Sequence, residues 1–215
     1  MDGNRRWARE RDKRTLAGHT AGRDTLKKCI DWLQDHEITH AVFYAFSTEN
    51  WRRTEEEVGY LMGLARETFE RDFEEIKEKN IRLRFIGDLS RFPDDVQELM
   101  RKSEIETAEN TAGTVALAMS YGGRAEIVSA VNKLLAEGKQ EVTENDLKSL
   151  FWSHDIPDPD MIIRTEGQRR LSNFLTWQSV YSELFFTDTL WPDFSKEEFE
   201  KMLGEFAHRK RNFGK

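Results

Sequence analysis

The chain opens on MDGNRRW, which places one carboxylate among groups that bind phosphate oxygens. Asn4, Arg5 and Arg6 offer donors, and an arginine fork binds two phosphate oxygens at once. Gly3 lets the backbone approach a ligand closely. Asp2 would repel a diphosphate unless a cation lay between them, and Mg²⁺ prefers one or two carboxylates plus phosphate oxygens. The stretch therefore predicts a diphosphate site with Asp2 as a metal ligand; the alternative is a solvated basic arm.

Further along the chain, three other segments carry groups capable of chemistry. His19 lies among small residues in AGHTAG, where phosphate contact, proton transfer or a purely structural role are all open. The segment FSTENW, residues 46–51, supplies Ser47, Glu49 and Asn50, although such a sequence also suits a simple turn before a helix. Glu183 is an acid within the apolar run YSELFF, and buried acids seldom lack a partner or a metal.

The elements that must position these groups alternate between helix and strand. Short apolar or alternating runs predict strands at Thr39–Phe46, Ile81–Gly87, Thr114–Tyr121, Met161–Arg164 and Ser179–Asp188. Apolar residues at helical spacing fill the intervals, and SKEE at Ser195–Glu198 is a capping box for the last helix. The pattern predicts an α/β fold: one domain, residues 1–215, with a mainly parallel central sheet flanked by helices.

In a parallel sheet, ligands bind beyond the carboxyl ends of the strands. STENWRR, SYGGR and RTEGQRR each follow a predicted strand, so we expect these arginine-bearing segments to converge at one edge. A long helix carrying apolar residues from Val58 to Ile76 follows the first of them. Its stripe is either ordinary core or, in part, one wall of a hydrophobic tunnel.

Composition narrows the class of protein. The chain has 215 residues, 34% of them charged, and a net charge of −7, which argues against general nucleic-acid binding. Seven cations and three acids lie between Met1 and Arg23, so the basic charge is local, as for a small anionic ligand. Cys29 is the single cysteine, and no apolar run approaches the roughly 20 residues that span a bilayer. We expect a soluble protein of the reducing cytoplasm.

Together, MDGNRRW, AGHTAG, YAFSTENW, IGDLSRF, YGGR, IIRT-G--RLSNF and WQSVYSELFFTD-LWPDF resemble the cis-prenyltransferases of the undecaprenyl diphosphate synthase type. The match spans nearly the whole chain in order. The resemblance implies a Mg²⁺-dependent enzyme that extends an allylic prenyl diphosphate with isopentenyl diphosphate, forming a cis double bond and releasing pyrophosphate. It also implies a hydrophobic tunnel, a homodimer and a peripheral association with membranes through the lipid product.

The resemblance also implies roles for individual residues. Asp2 would bind the metal and act in catalysis, with Glu183 as a second metal-site acid. The other catalytic residues would be Asn4, Arg6, His19, Ser47 and Asn50. Substrate contacts would come from Gly3, Arg5, Trp7, Glu49, Trp51, Arg53, Arg164, Arg170 and Ser172.

Several positions depart from the family pattern. Arg5 stands where the bacterial form usually has Gly, which is closer to the archaeal and eukaryotic branch, and Thr20 stands where a basic residue is common. Glu166 and Gln168 replace the usual Ser and Glu between the arginines that would bind isopentenyl diphosphate. This leaves open an irregular, non-head-to-tail coupling or a short product.

Two further hypotheses concern proteins of a different class. A non-catalytic partner subunit or prenyl-lipid-binding protein would lose the aspartate and the phosphate-binding arginines, which are present here. A phosphatase would need a nucleophile at a strand end, and neither Ser47 nor Ser120 has a convincing His–acid arrangement near it in the sequence.

Members of the cis-prenyltransferase family also carry an apolar strand immediately before the opening motif MDGNRRW. Without that strand we expect Asp2 to be held less rigidly.

Overall fold

The structure, a computed structural model, describes residues 1–210 apart from the side chain of Asp72, and they form two compact units. The first unit contains residues 1–38, 158–171 and 178–210. The second contains residues 39–157 and 172–177. The single domain expected from the sequence stays a prediction.

Parallel strands and helices alternate along the described chain, as the sequence predicts. The strands are β1 (His40–Ser47), β2 (Ile81–Ile86), β3 (Gly113–Tyr121), β4 (Met161–Arg164) and β5 (Glu183–Phe186). The helices are α1 (Asn4–Arg9), α2 (Thr15–Asp35), α3 (Glu55–Glu67), α4 (Phe73–Glu78), α5 (Asp94–Glu106), α6 (Gly123–Ala136), α7 (Glu144–Ser149) and α8 (Lys196–His208).

The second unit is built on a three-stranded parallel sheet in the order β1-β3-β2. The central strand β3 is almost continuously buried, which explains why its sequence lacks the alternation of a half-exposed strand. Ser47 at the end of β1 pairs in register with Tyr121 at the end of β3, after an irregularity at Phe46. Two of the polar segments predicted to follow strands, STENWRR and SYGGR, therefore begin side by side.

The first unit contains a two-stranded parallel sheet of β4 and β5, and within residues 1–210 these strands pair only with each other. The predicted parallel arrangement with flanking helices is confirmed, and within residues 1–210 the strands are divided between two sheets. β5 is also shorter than the predicted Ser179–Asp188. A turn from Ser179 to Ser182 precedes it, and the Thr187 hydroxyl accepts the amide of Thr189 just after it.

Two helices differ from their sequence patterns. α2 begins at Thr15, so AGHTAG lies inside the helix despite its two glycines. The long apolar helix is interrupted by a π-helical turn at Thr68–Asp72. The Thr68 hydroxyl donates to the carbonyl of Leu64 at 2.8 Å, a side-chain bond that competes with regular helical pairing.

A buried carboxyl group fastens α6 to the strand before it. Glu126 is 1% exposed, and its Oε2 accepts a hydrogen bond from the Tyr121 hydroxyl at 2.6 Å. Its Oε1 accepts from the amide and the hydroxyl of Ser153, at 3.0 and 2.8 Å. Replacement of Glu126 by alanine leaves these buried donors without their acceptor. We expect the free energy of unfolding to fall by about 2–4 kcal/mol in urea denaturation.

Glu137→Ala is the matched control, because Glu137 is an exposed glutamate at the end of the same helix. Its effect is expected to stay within about 0.5 kcal/mol. Equal unfolding free energies for the two variants would show that the buried contacts of Glu126 do not contribute to stability.

The single cysteine is enclosed in the first unit. Cys29 lies on α2 and is 6% exposed, and burial raises the pKa of its thiol to about 12. Because the thiolate is the reactive species, we expect iodoacetamide at pH 8 to label the native protein far more slowly than the urea-unfolded protein. Mass spectrometry over time gives both rates, and equal rates would mean that Cys29 is accessible.

None of the helices within residues 1–210 is long and apolar enough to span a membrane.

Candidate active site

Asp2 is fixed in the first unit by contacts with residues far away in sequence. Its amide donates to the Thr165 hydroxyl at 2.9 Å, and that hydroxyl donates to the Asp2 carbonyl, also at 2.9 Å. The Trp191 amide donates to the same carbonyl at 2.9 Å. The expectation of a loosely held Asp2 is therefore wrong for its main chain, because Thr165 directly after β4 and the 3₁₀ turn Trp191–Asp193 anchor it.

The Asp2 side chain faces the second predicted basic segment. Its Oδ2 lies 2.7 Å from Nη2 of Arg164, and the carboxylate keeps 43% of its side-chain surface exposed, whereas Arg164 keeps 13%. The opening motif and the loop after β4 thus meet in one place, as the sequence predicts. In such a pair the exposed carboxylate can bind a cation, and the nearly buried, fixed guanidinium can bind a phosphate group.

The loop after Arg164 folds back on itself. Nη1 of Arg164 donates to the carbonyl of Arg170, whose own Nη1 donates to Oε1 of Gln168 at 2.6 Å. Glu166 has a positive φ of 74°, a conformation uncommon for a residue other than glycine, and its amide donates to the carbonyl of Thr189 at 2.9 Å. The two positions that depart from the family pattern, Glu166 and Gln168, therefore shape the turn that presents Arg164 and Arg170.

Glycines bring Asn4 against α2. A Cβ on Gly18 would lie 1.9 Å from the Asn4 carbonyl oxygen, and one on Gly22 would lie 2.4 Å from Oδ1 of Asn4. Oδ1 is buried and has no hydrogen-bond partner among the described residues, which fits an acceptor for a donor on a ligand or a water molecule. His19 lies on the same helix and is 9% exposed. Part of the AGHTAG pattern is thus explained by close helix packing.

The remaining residues of α1 differ in their surroundings. Arg5 and Arg6 are exposed, and Nε of Arg6 lies 2.9 Å from Oε1 of Glu10. The Trp7 indole donates to Asp193 at 2.6 Å, and the Arg11 guanidinium lies 4.6 Å from the ring centre. These contacts fasten α1 to the turn at residues 191–193. Trp7 therefore has a structural role, in addition to the substrate contact predicted for it.

Glu183 lies apart from Asp2 in the first unit. It pairs in register with Met161 at the start of β4, whereas Arg164 at the other end pairs with Phe186. Three residues of strand correspond to about 10 Å. Glu183 instead forms an ion pair with Arg209 at 2.7 Å. The metal role of Glu183 stays a prediction, because within this chain Glu183 and Asp2 lie at opposite ends of the β4–β5 pair.

The second unit assembles the FSTENW residues at the end of β1. Ser47 caps the 3₁₀ turn Thr48–Arg52, and its amide donates to Oδ1 of Asn50 at 3.1 Å in a reciprocal capping box. Arg53 lies 2.8 Å from Glu57, whose side chain is nearly buried. A fixed turn of this kind presents Ser47 and Asn50 in one defined geometry.

Asn173, which sequence analysis missed, ties three parts of this region together. Its carbonyl and Oδ1 accept the amides of Gly123 and Arg124 at 2.7 and 2.9 Å. Its Nδ2 donates to Glu49 at 3.3 Å. Burial opposes ionisation of Glu49, but hydrogen bonds from its own amide, Ser47, Asn173 and Thr48 lower its pKa, so it is a carboxylate at neutral pH. Ser172 lies next to Asn173, and both have positive φ angles, 49° and 67°.

The donor set around Asp2 suits one kind of metal site. Within the described residues no three His, Cys, Asp or Glu side chains gather into an all-protein cage. A single exposed carboxylate with arginine nearby is instead what Mg²⁺ uses when substrate phosphates supply further ligands. The residues present therefore fit a metal carried with a diphosphate, with Asp2 as the protein ligand.

These features are those of an α/β protein with parallel strands, in which a carboxylate lies beside an arginine at the end of a strand. More specifically, the chain belongs to the prenyltransferase family: residues 1–214 match the family model described as "Putative undecaprenyl diphosphate synthase".

Curated relatives match over the full chain. The isoprenyl transferase of Neisseria gonorrhoeae is 42% identical over 215 residues, covering 100% of this chain and 87% of the relative. The ditrans,polycis-undecaprenyl-diphosphate synthase ((2E,6E)-farnesyl-diphosphate specific) of Escherichia coli is 42% identical over 220 residues, with the same coverage.

Solved structures agree with this assignment. Lavandulyl diphosphate synthase from Lavandula x intermedia, in complex with dimethylallyl diphosphate, superposes with a TM-score of 0.95 at 31% identity, covering 100% of this chain and 95% of the other. A probable undecaprenyl diphosphate synthase from Campylobacter jejuni gives a TM-score of 0.83 at 37% identity, with 91% and 93% coverage.

Proposed function

We propose that this protein is a cis-prenyltransferase that condenses isopentenyl diphosphate with an allylic prenyl diphosphate, releases pyrophosphate and builds cis-prenyl chains. The observation that carries the proposal is the Asp2–Arg164 pair, which unites the opening motif with the loop after β4 in a chain that matches the family from residue 1 to residue 214. Relatives named as prenyl-transferring enzymes support it.

The residues of the first unit supply the electrostatic part of the reaction. The pyrophosphate leaving group gains negative charge as the allylic C–O bond breaks, so groups aimed at it in advance stabilise the transition state more than the ground state. Arg6, Asn4 and His19 would hold the allylic diphosphate, and Arg164 and Arg170 the diphosphate of isopentenyl diphosphate. Mg²⁺ held by Asp2, with Glu183 as a further metal-site acid, would neutralise phosphate charge.

The residues of the second unit would act where the two substrates meet. Ser47 and Asn50 are fixed by their capping box, and Glu49 by Asn173. Holding two reactants in a defined geometry lowers the barrier by converting a bimolecular step into an effectively unimolecular one. Trp51, Arg53 and Ser172 would complete the substrate contacts.

A hydrophobic tunnel for the growing chain is part of this proposal. Phe69, Phe73 and Ile76 of the predicted stripe are buried core, whereas Val58, Leu61 and Leu64 of α3 are only half-buried. A half-buried apolar row can line a channel, where a prenyl chain gains about 0.8 kcal/mol per buried CH₂. Shorter products after enlargement of the Leu61 or Leu64 side chain to Trp would support the tunnel.

The homodimer is also proposed, with its contact on α6. Val128, Val131 and Leu135 repeat at helical spacing and are 57%, 38% and 65% exposed. An apolar face of this kind, together with the preceding strand, suits a second copy of the chain. Sedimentation velocity of the purified protein tests the homodimer.

We further propose that residues 1–215 act as one catalytic domain, located in the cytoplasm and associated peripherally with membranes through its lipid product.

Irregular coupling is a second candidate within the same fold. The full-length superposition on lavandulyl diphosphate synthase favours it, as do Glu166 and Gln168 between the two arginines of the loop. NMR of the product formed from both C5 diphosphates separates the two: a purely head-to-tail cis chain removes the irregular candidate.

The main experiment is incorporation of labelled isopentenyl diphosphate onto allylic primers of increasing length, with and without Mg²⁺, with products resolved by size. We expect Mg²⁺-dependent chain extension. No incorporation with any primer would refute the proposed activity and would favour a non-catalytic prenyl-lipid-binding subunit.

A further inference from the structure

Trp51 is held in the second unit by one hydrogen bond, two aromatic rings and a guanidinium group. Its indole nitrogen donates to the Ser120 hydroxyl at 2.9 Å. Phe46 and Phe92 pack edge-on at centroid distances of 4.8 and 5.2 Å, and the Arg91 guanidinium lies 4.9 Å from the ring centre. Of these contacts, the hydrogen bond is the directional one, because it needs the indole N–H to point at its acceptor.

Ser120, which supplies this hydroxyl, has an unusual backbone conformation. It lies next to the end of β3, is 0% exposed and has a φ of 50°. Its carbonyl accepts the amide of Asp88 at 3.3 Å, so the strand end is tied on both sides. Positive φ is costly for a residue with a side chain, and a glycine would adopt it without strain. A serine at this position therefore carries a backbone cost that a glycine would avoid, and its hydroxyl is the group that a glycine would lack.

We propose that Ser120 is a positioning residue, which sets the orientation of the Trp51 indole for the condensation. The inference rests on the proposed function, in which Trp51 lies where the two substrates meet. Ser120 is fully buried and acts through Trp51 without touching substrate. Without its acceptor, the indole can rotate among its packing partners, and misaligned reactants lower kcat more than they raise KM.

The test is a double-mutant cycle in the full chain. Ser120→Ala is expected to lower kcat about five- to tenfold with KM for isopentenyl diphosphate nearly unchanged. Ser120→Gly, which relieves the backbone but also lacks the hydroxyl, should show the same loss. In a Trp51→Phe background, which lacks the indole donor, Ser120→Ala should change kcat by less than about twofold.

Equal losses from Ser120→Ala in both backgrounds would overturn the proposal, as would full activity of either single Ser120 variant. Ser103→Ala is the matched control, because Ser103 is 2% exposed and donates only within its own helix, to the carbonyl of Leu99 at 2.8 Å. It should leave kcat unchanged.

A spectroscopic readout separates this proposal from the proposed function. The ¹H–¹⁵N resonance of the Trp51 indole, assigned by its absence in Trp51→Phe, should move upfield in Ser120→Ala as the hydrogen bond is lost. An unmoved resonance overturns the positioning role whatever the activity. Absence of turnover in the unmodified protein would instead refute the proposed condensation.

Discussion

Replacement of Asp2 by alanine is expected to reduce turnover about a thousandfold while the protein still folds. The carboxylate is 43% exposed, and its main-chain contacts to Thr165 and Trp191 do not need the side chain. Its loss removes the protein ligand proposed for Mg²⁺ and leaves the Arg164 charge without its partner. Incorporation of labelled isopentenyl diphosphate gives the rate, and urea denaturation gives the stability.

Asp35→Ala is the control for this change. Asp35 is also an exposed aspartate paired with a cation, Lys196, at 2.8 Å in the same unit. It should retain full turnover. An Asp2→Ala protein as active as Asp35→Ala would remove Asp2 from the catalytic site, and one that fails to fold would assign it a structural role.

Replacement of Arg164 by lysine is expected to lower kcat/KM about a hundredfold. Arg164 directs one guanidinium nitrogen to Asp2 at 2.7 Å and another to the carbonyl of Arg170. A lysine keeps the charge but has a single nitrogen, so it cannot hold the loop and the carboxylate in two directions at once. The loss of kcat/KM should therefore arise from the altered contact geometry, and we expect it to persist at saturating Mg²⁺.

Arg101→Lys provides the comparison, because Arg101 also donates two hydrogen bonds, to the carboxylate of Glu98, but on the exposed surface of α5. It should keep kcat/KM within about twofold. If Arg164→Lys behaved in the same way, charge alone would suffice at this position and the two-directional contact would have no catalytic meaning.

The meeting of Asp2 with Arg164 could be predicted from the sequence, because charge is a local and readable property. A carboxylate among phosphate-binding groups requires a cation, and two basic segments in an acidic chain indicate one anionic ligand. The strands were also predictable, since buried parallel strands such as Thr114–Tyr121 form continuous apolar runs bounded by glycine. β3, Gly113–Tyr121, agrees with that prediction to within one residue.

Features that depend on close packing could not be predicted. Gly18 and Gly22 are residues that disfavour a helix, yet α2 continues through them. Their lack of a side chain lets Asn4 of α1 pack directly against the surface of α2. The π-helical turn at Thr68–Asp72 arises within a regular apolar stripe, which gives no sign of it. Strand pairing is likewise nonlocal, so the separate β4–β5 sheet could not be deduced from strand positions.

The contacts of three polar residues could not be predicted for a related reason. Thr165, Asn173 and Ser120 are short polar residues beside more conspicuous motifs, and their importance lies in the atoms they reach. Thr165 and Ser120 could be noticed only by their place, immediately after or near the end of a strand, whereas Asn173 lies in a loop and carried no such signal.

Calorimetric titration with inorganic pyrophosphate, with and without Mg²⁺, tests most directly whether Asp2 and the arginines around it grip a metal-bridged diphosphate. We expect Mg²⁺ to tighten pyrophosphate binding at least about tenfold in the unmodified protein, and this gain to vanish in Asp2→Ala while weak, Mg²⁺-independent binding to the arginines persists. Binding that is indifferent to Mg²⁺, or a gain that survives in Asp2→Ala, would contradict the account.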